Sequence, residues 1–128
     1  MRALLDTNAF LWALDDNSQL SQKAQRFMSN GENDLFLSSA SAWEIVIKSS
    51  LGKLELPHDP EKFIEEQMHL CGIDSLPISI RHALTVARLP DIHKDPFDRM
   101  LIAQAIAENI SIITPDKKIH LYDVHIIW

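Results

Sequence analysis

Short apolar runs separated by amphipathic segments set the pattern of the whole chain. Such runs, bounded by polar residues, are typical of strands buried in a sheet. Five of them occur, at residues 3–5, 35–37, 73–78, 110–114 and 124–128. Because the segments between them carry apolar residues at helical spacing, the order of elements predicts an α/β fold with a mainly parallel sheet.

Helix boundaries follow from capping residues and helix breakers. Asn8 is the predicted N-cap of the first helix, and Ser21 begins a second helix that ends at residues 30–31. A third helix follows Ser38 and ends at Gly52. Further helices are predicted over residues 60–70, 80–89 and 100–108.

Four acidic residues lie where predicted strands end or the following helices begin. Asp6 directly follows the first strand, and Asp116 follows the strand 110–114 by two residues. Asp98 opens the helix 100–108, while Glu44 lies in the helix after the second strand. Since ligands of parallel sheets sit beyond the carboxyl ends of the strands, we expect the four acids to converge there.

Each acid also has a simpler interpretation. Asp6 is placed to cap the next helix, Asp98 and Asp95 suit the positive end of a helix dipole, and Asp116 suits a turn. Glu44 has Lys48 one helical turn later, a pair worth a few tenths of a kcal/mol. Taken singly, these interpretations are favoured; taken together, clustered carboxylates repel one another and indicate a bound cation.

An acidic cluster of this kind suits phosphoryl transfer assisted by Mg²⁺ or Mn²⁺, which prefer oxygen ligands. Polar residues at the same strand ends are candidates for orienting a water or a phosphate: Thr7, Asn8, Ser38 and Thr114. Arg99 and Lys94 are candidates for stabilising negative charge, although a solvated surface position is favoured for Lys94.

Composition limits the function classes. The 128 residues suit one domain, 1–128, with a net charge of −6, which argues against binding nucleic acid through a broad basic surface. The single cysteine, Cys71, cannot form an internal disulfide, so a cytoplasmic protein is expected. No apolar run approaches the ~20 residues of a membrane helix.

Four motifs together resemble a known family. L-L-D-T-N-A-F-L-W at 4–12, S-A-W-E-I-V-I-K at 41–48, D-P-F-D-R-M-L-I-A-Q-A at 95–105 and T-P-D at 114–116 are similar to those of PIN-domain ribonucleases, especially VapC-type toxins of type II toxin–antitoxin modules. The resemblance implies an α/β/α sandwich and Mg²⁺-dependent endonucleolytic cleavage of RNA. It also implies an antitoxin and a second copy of the chain as partners.

Residue by residue, the resemblance implies that the metal-binding acids are Asp6, Glu44, Asp98 and Asp116. Asp95 is expected to shape the loop before Pro96 or to support the metal site. In this family an antitoxin segment docks near the first two helices, so we expect an exposed apolar groove formed by Phe10, Leu11, Leu14, Phe27 and Met28.

Other residues favour structural roles. The aromatic residues Phe10, Trp12, Trp43 and Trp128 are typical of core positions, which for Phe10 competes with the groove hypothesis. His93, near Asp95, is a candidate for contacting substrate, although a loop histidine without a role is favoured. Two rival functions remain: a receiver-like regulatory module with a phosphorylatable aspartate, and a PIN-like domain that binds without catalysis. The Thr7-Asn8 pair after Asp6 disfavours the first, since a receiver has a paired acid there.

Overall fold

The computed structural model describes residues 1–15 and 17–128, apart from the side chains of Leu14 and Asp15. Five strands alternate with helices, together with short 3₁₀ turns. The strands are β1 (Arg2–Leu5), β2 (Asp34–Ser38), β3 (Ile73–Leu76), β4 (Ser111–Ile113) and β5 (Ile126–Ile127). The helices are α1 (Thr7–Asp15), α2 (Gln22–Ser29), α3 (Ser39–Ser50), α4 (Pro60–Cys71), α5 (Ile80–Thr85) and α6 (Pro96–Glu108).

The sheet has the strand order β3-β2-β1-β4-β5, and every pairing within it is parallel. The central strand β1 is in register with both neighbours, since Leu5 lies opposite Leu37 on one side and Ile113 on the other. The predicted α/β fold with a parallel sheet is therefore confirmed. All five strands consequently end at the same edge of the sheet.

Alternating side chains of the strands fill two separate cores. Leu5 and Ile113 belong to a cluster with Phe10, whereas Leu4 and Ile112 pack into a cluster with helix α6. Successive residues of a strand point to opposite faces, so helices cover the sheet on both sides. This arrangement confirms the predicted three-layer sandwich.

Two helix starts differ from the prediction. Asp6, and not Asn8, caps α1: its Oδ1 accepts a hydrogen bond of 2.7 Å from the backbone N of Ala9. Helix α6 begins at Pro96 with Asp95 as its N-cap, so Asp98 lies inside the first turn instead of before it. A proline at the first helical position lacks the N–H that would be unpaired there, which favours this earlier start.

The predicted helix over residues 80–89 is also shorter than expected. Helix α5 ends at Thr85, and a 3₁₀ turn over Val86–Arg88 completes the segment.

The aromatic residues separate the predicted core and groove positions. Of the two positions expected for Phe10, the groove is wrong and the core is confirmed: it is fully buried and packs edge-on against Phe63 with ring centroids 6.5 Å apart. Trp43 was expected in the core, but 62% of it is exposed. Trp12 and Trp128 are partly buried, in ring contact at 6.4 Å. The predicted groove position of the Leu14 side chain lies outside the described residues.

Within residues 1–15 and 17–128, none of the helices is both long and apolar enough to cross a lipid bilayer.

We expect Ile102→Ala in α6 to lower the free energy of unfolding by about 2–5 kcal/mol, because it leaves a cavity at a fully buried position. Ile106→Ala, one turn later at a position that is 42% exposed, is the control and should cost much less. Urea unfolding of both variants measures the difference. Equal losses would contradict the described packing of α6.

Candidate active site

Asp6 occupies the end of the central strand, at the edge where the strands terminate. Its carboxylate is 5% exposed and accepts two hydrogen bonds, from the Ala9 backbone N at 2.7 Å and from Thr114 Oγ1 at 2.5 Å. Burial raises the pKa of Asp6 from 3.8 to about 6, against the lowering effect of those hydrogen bonds. The negative charges of Asp98 and Asp116 raise the pKa further, so these three acids share one electrostatic environment.

Thr114 connects two of the acids. Its hydroxyl donates to Asp6 and accepts a hydrogen bond of 3.0 Å from the backbone N of Asp116. Thr114 is fully buried and follows β4, which lies next to β1 in the sheet. A single side chain therefore fixes the position of Asp6 relative to the turn that carries Asp116.

Asp98 reaches the same edge from the first turn of α6. Burial is the main cause that raises the pKa of its carboxyl from 3.8 to about 6, followed by the charge of Asp95. A hydrogen bond with His93, 3.4 Å from Nε2 to Oδ2, lowers the pKa. The charges of Asp116 and Glu44 raise it, and Asp98 also acts on Asp6, so Asp98 lies within electrostatic range of each of the other three predicted acids.

Glu44 is 8% exposed and has both carboxylate oxygens engaged. Thr7 Oγ1 donates to Oε1 at 2.7 Å, and Lys48 Nζ donates to Oε2 at 2.6 Å. The pKa of Lys48 is raised, first by this hydrogen bond and also by the charges of Asp95 and Asp98. Glu44 therefore pairs with Lys48 one turn later, and its charge also acts on Asp98. Its role as a metal ligand stays a prediction.

The family model for the PIN domain matches residues 3–124. The chain belongs to the PIN domain family.

Several solved structures have the same fold as this chain. A complex of VapBC2 from Rickettsia felis, bound to a DNA fragment from their promoter, superposes with a TM-score of 0.71 at 16% identity, covering 98% of this chain and 97% of that chain. FitAcB from Neisseria gonorrhoeae gives a TM-score of 0.68 at 19% identity, with 98% and 96% of the two chains covered. At such identities the likeness shows the fold.

A sequence relative is Ribonuclease VapC16 from Mycobacterium tuberculosis, 43% identical over 56 residues. The match spans 44% of this PIN domain and 38% of the relative's length.

The four polar residues predicted to support the site of this PIN domain have different roles in the structure. Thr7 and Thr114 hold Glu44 and Asp6, respectively. Ser38 is fully buried and caps α3 by accepting from the Ala40 backbone N, so the prediction that it orients a water or phosphate is wrong. Asn8 is exposed beside the acids, at the start of α1.

Asp95 and Arg99 shape the loop before α6. Asp95 Oδ1 accepts hydrogen bonds from the backbone N of Phe97 and Asp98, so Asp95 is the loop-shaping residue that was one of its two predicted roles. Arg99 Nη1 donates to the carbonyl of Pro90 at 2.9 Å and to the Tyr122 hydroxyl at 3.1 Å. The guanidinium therefore binds the loop before α6.

Sequence reasoning misjudged one residue of this PIN domain and missed another. For His93 a loop position without a role was favoured over a substrate contact, but its side chain is 9% exposed and contacts Asp98. Its position three residues before P-F-D-R was the signal in the sequence. Tyr122, which holds the other ring nitrogen of His93 at 2.7 Å, had no signal, because it lies 29 residues away.

The donor set of the PIN domain fits a hard divalent cation in its chemistry, since carboxylate oxygens are the ligands such ions prefer. Asp98 Oδ1 and Asp116 Oδ2 accept no hydrogen bond from the described residues and remain open to an ion. In the described part of the chain, however, no three His, Cys, Asp or Glu side chains stand close enough together to hold a metal. The like-charged carboxylates repel one another, and a cation would reduce this repulsion.

We expect Asp98→Asn to stabilise the metal-free PIN domain by about 1–2 kcal/mol at pH 8. The pKa of Asp98 is raised on folding from 3.8 to about 6, so its contribution to stability is fully present below pH ~4 and is lost as the pH rises through about 6. Asparagine carries no charge and avoids that loss.

Thermal unfolding in a chelating buffer at about pH 4 and pH 8 measures the effect. The advantage of the variant should be present at the higher pH and absent at the lower one. Asp34→Asn, at an exposed position on the opposite edge of the sheet, is the control. The same gain for both variants, or a gain at the lower pH alone, would contradict the prediction.

Proposed function

We propose that this PIN domain is a divalent-metal-dependent endoribonuclease and the toxin of a toxin–antitoxin pair. The observation that carries the proposal is the convergence of Asp6, Asp98 and Asp116, from three separate segments, on one edge of the sheet, where the pKa of two of them is raised to about 6. Carboxylates held together at such a cost in burial and mutual repulsion are typical of a site that works with a bound cation.

The relatives support the same function. The relative VapC16 is named as a ribonuclease. Structures with the same fold come from toxin–antitoxin assemblies, including a toxin–antitoxin complex from Klebsiella pneumoniae. The receiver-like alternative requires an aspartate that is open to phosphorylation. Asp6 is 5% exposed and both of its oxygens accept hydrogen bonds, which disfavours that alternative.

In the proposed reaction the residues that would hold Mg²⁺, or Mn²⁺ in its place, are Asp6, Asp98, Asp116 and Glu44. Such an ion would supply a more acidic water and would stabilise charge on the phosphodiester. Thr114 keeps Asp6 and Asp116 in fixed relation, and Thr7 orients Glu44. Cleavage then needs no covalent intermediate with the protein, because water is the nucleophile.

Lys48 contributes positive charge at the same edge. Its ammonium group bonds to Glu44, and half of the side chain is exposed. It therefore offers a cation to an approaching phosphate backbone in a protein whose net charge of −6 otherwise repels RNA.

An antitoxin is the proposed protein partner. Leu11, Phe27 and Met28 pack against the core but remain partly exposed. Met28 and the 70%-exposed Leu70 also line a depression of about 260 Å³ between α2 and α4. Apolar surface of this kind supports docking of an apolar segment of the antitoxin, and the acidic charge of the domain favours a basic one.

A second copy of the chain is the other proposed partner. Helix α3 presents two apolar side chains about one turn apart to solvent: Trp43 is 62% exposed and Val46 45%. Leu51, which directly follows the helix, is 62% exposed. An apolar face on this scale is typical of a protein–protein contact. We propose that α3 packs against α3 of the second copy.

The first prediction from this function is Mg²⁺-dependent cleavage of a mixed RNA pool by the purified domain. Asp6→Asn and Asp98→Asn should each reduce the rate by about 100-fold or more, because each removes a charge that stabilises the ion and thereby the transition state. Chelation of divalent ions should abolish cleavage in the parent. Any bound antitoxin must first be removed, because it would mask the activity.

Asp34→Asn is the matched control, since it makes the same change in net charge at the opposite edge of the sheet. It should cleave as the parent does. Equal cleavage by the parent and both site variants would attribute the activity to a contaminant and contradict the enzyme proposal. Metal binding by a parent that cleaves no RNA would favour the domain that binds without catalysis.

The second prediction concerns the proposed dimer. Val46→Lys should weaken self-association by about tenfold or more, because it places a charge in the centre of the apolar face on α3. Ile80→Lys, at a 78%-exposed position on α5, should leave association unchanged. Analytical ultracentrifugation over a range of concentrations measures both. A parent that remains monomeric at every concentration would overturn the proposed interface.

A further inference from the structure

His93 lies between a predicted metal-binding carboxylate and a buried tyrosine. Its side chain is 9% exposed, with Nε2 at 3.4 Å from Asp98 Oδ2 and Nδ1 at 2.7 Å from the Tyr122 hydroxyl. Both ring nitrogens of the imidazole therefore face specific partners. A neutral histidine carries one N–H and one acceptor nitrogen, so His93 donates one of these two hydrogen bonds and accepts the other.

The surroundings of Tyr122 determine those directions. Its hydroxyl oxygen faces Arg99 Nη1 at 3.1 Å and the backbone N of His93 at 3.4 Å, and both of these groups can only donate. The oxygen therefore accepts from these two groups. Its one proton is left for the remaining partner, Nδ1 of His93.

The proton of the neutral imidazole then resides on Nε2 and points at the Asp98 carboxylate. A chain of donors results, which runs from Arg99 to Tyr122, from Tyr122 to His93, and from His93 to Asp98. Arg99 also donates to the carbonyls of Pro90 and His93, so the loop that carries the histidine is fixed against α6. The donor at Nε2 is held in place by backbone as well as side-chain contacts.

We propose that His93 is the positioning residue for Asp98, and that Tyr122 holds it in the tautomer that donates to Oδ2. This inference rests on the proposed metal site, since its consequence is that Oδ1, which accepts no hydrogen bond from the described residues, stays directed to the ion. Hydrogen-bond partners that orient metal ligands commonly contribute about 10–100-fold to metal affinity.

Ring packing is the competing explanation. The imidazole and the Tyr122 ring contact edge-on, with centroids 5.4 Å apart and an interplanar angle of 63°. If His93 only filled this space, any side chain of similar size would serve equally well, and the position of its N–H would be irrelevant.

The test compares His93→Gln with His93→Asn. The amide nitrogen of glutamine reaches the position of Nε2 and keeps a donor for Asp98, whereas that of asparagine lies near Nδ1 and does not. Binding of Mn²⁺ alone, followed through the free ion by electron paramagnetic resonance, should be within about threefold of the parent for the glutamine variant. It should be about 10–100-fold weaker for the asparagine variant. Equal affinities in the two variants would overturn the proposal.

A second measurement reads the tautomer in the metal-free protein. Long-range ¹H–¹⁵N spectra at about pH 8, above the ordinary histidine pKa of about 6.5, should show His93 protonated on Nε2 in the parent. Tyr122→Phe removes the hydroxyl and should shift the tautomer population toward Nδ1–H. Protonation on Nδ1 in the parent, or an unchanged spectrum in the variant, would contradict the proposed donor chain.

These outcomes separate this inference from the proposed function. A parent that binds Mn²⁺ and shows the expected tautomer, but cleaves no RNA, would refute the nuclease and leave the role of His93 intact. A parent that cleaves RNA while both His93 variants bind Mn²⁺ equally would refute the positioning role alone. A parent with no affinity for Mn²⁺ would refute both.

Discussion

The hydrogen bond from Thr114 to Asp6 joins the two strands on which the acidic edge depends. Asp6 ends β1 and Thr114 follows β4, and these strands are neighbours in the centre of the sheet. The same hydroxyl accepts from the backbone of Asp116, so two acids take their positions from one buried side chain. The other acids, Asp98 and Glu44, come from helices that pack on the sheet and adjust to this fixed pair.

Electrostatic repulsion among the acids opposes folding of this part of the molecule. Burial and neighbouring charges raise the pKa of Asp6 and Asp98 to about 6, which means that their ionised forms are less stable here than in water. The contacts that offset part of this cost are the hydrogen bonds from Thr114 and the Ala9 backbone to Asp6 and from His93 to Asp98. The most strained electrostatics of the chain therefore coincide with its candidate catalytic centre.

Much of the fold followed from the sequence because its signals are local. Short apolar runs predicted the strands, Ser21 marked the start of α2 as expected, and α6 ends at Glu108, the predicted last residue. The acids were found because each lies beside a strand end or a helix start. The start of α6 was misplaced because Pro96 reads as a breaker, although at a first helical position it favours the helix.

What sequence reasoning missed depends on contacts between distant segments. Nothing near His93 indicates that Tyr122 fixes its ring, and nothing near Trp43 indicates that its indole lies outside the core against Phe97. The roles of Ser38 and Asn8 were misjudged for the same reason, since burial decides whether a polar side chain faces solvent or a backbone N–H. Tertiary packing, which a short window does not contain, sets these positions.

The separation of the acids along the chain has a consequence for protein synthesis. Asp6 and Thr114 are 108 residues apart, and the remaining acids lie between or just after them. Asp6 is synthesised early. Strand β4, which completes its surroundings, leaves the ribosome's exit tunnel only after almost all of the described chain has been made. A nascent or truncated chain that lacks β4 therefore has no acidic edge, and the site can form only once synthesis of this domain is nearly complete.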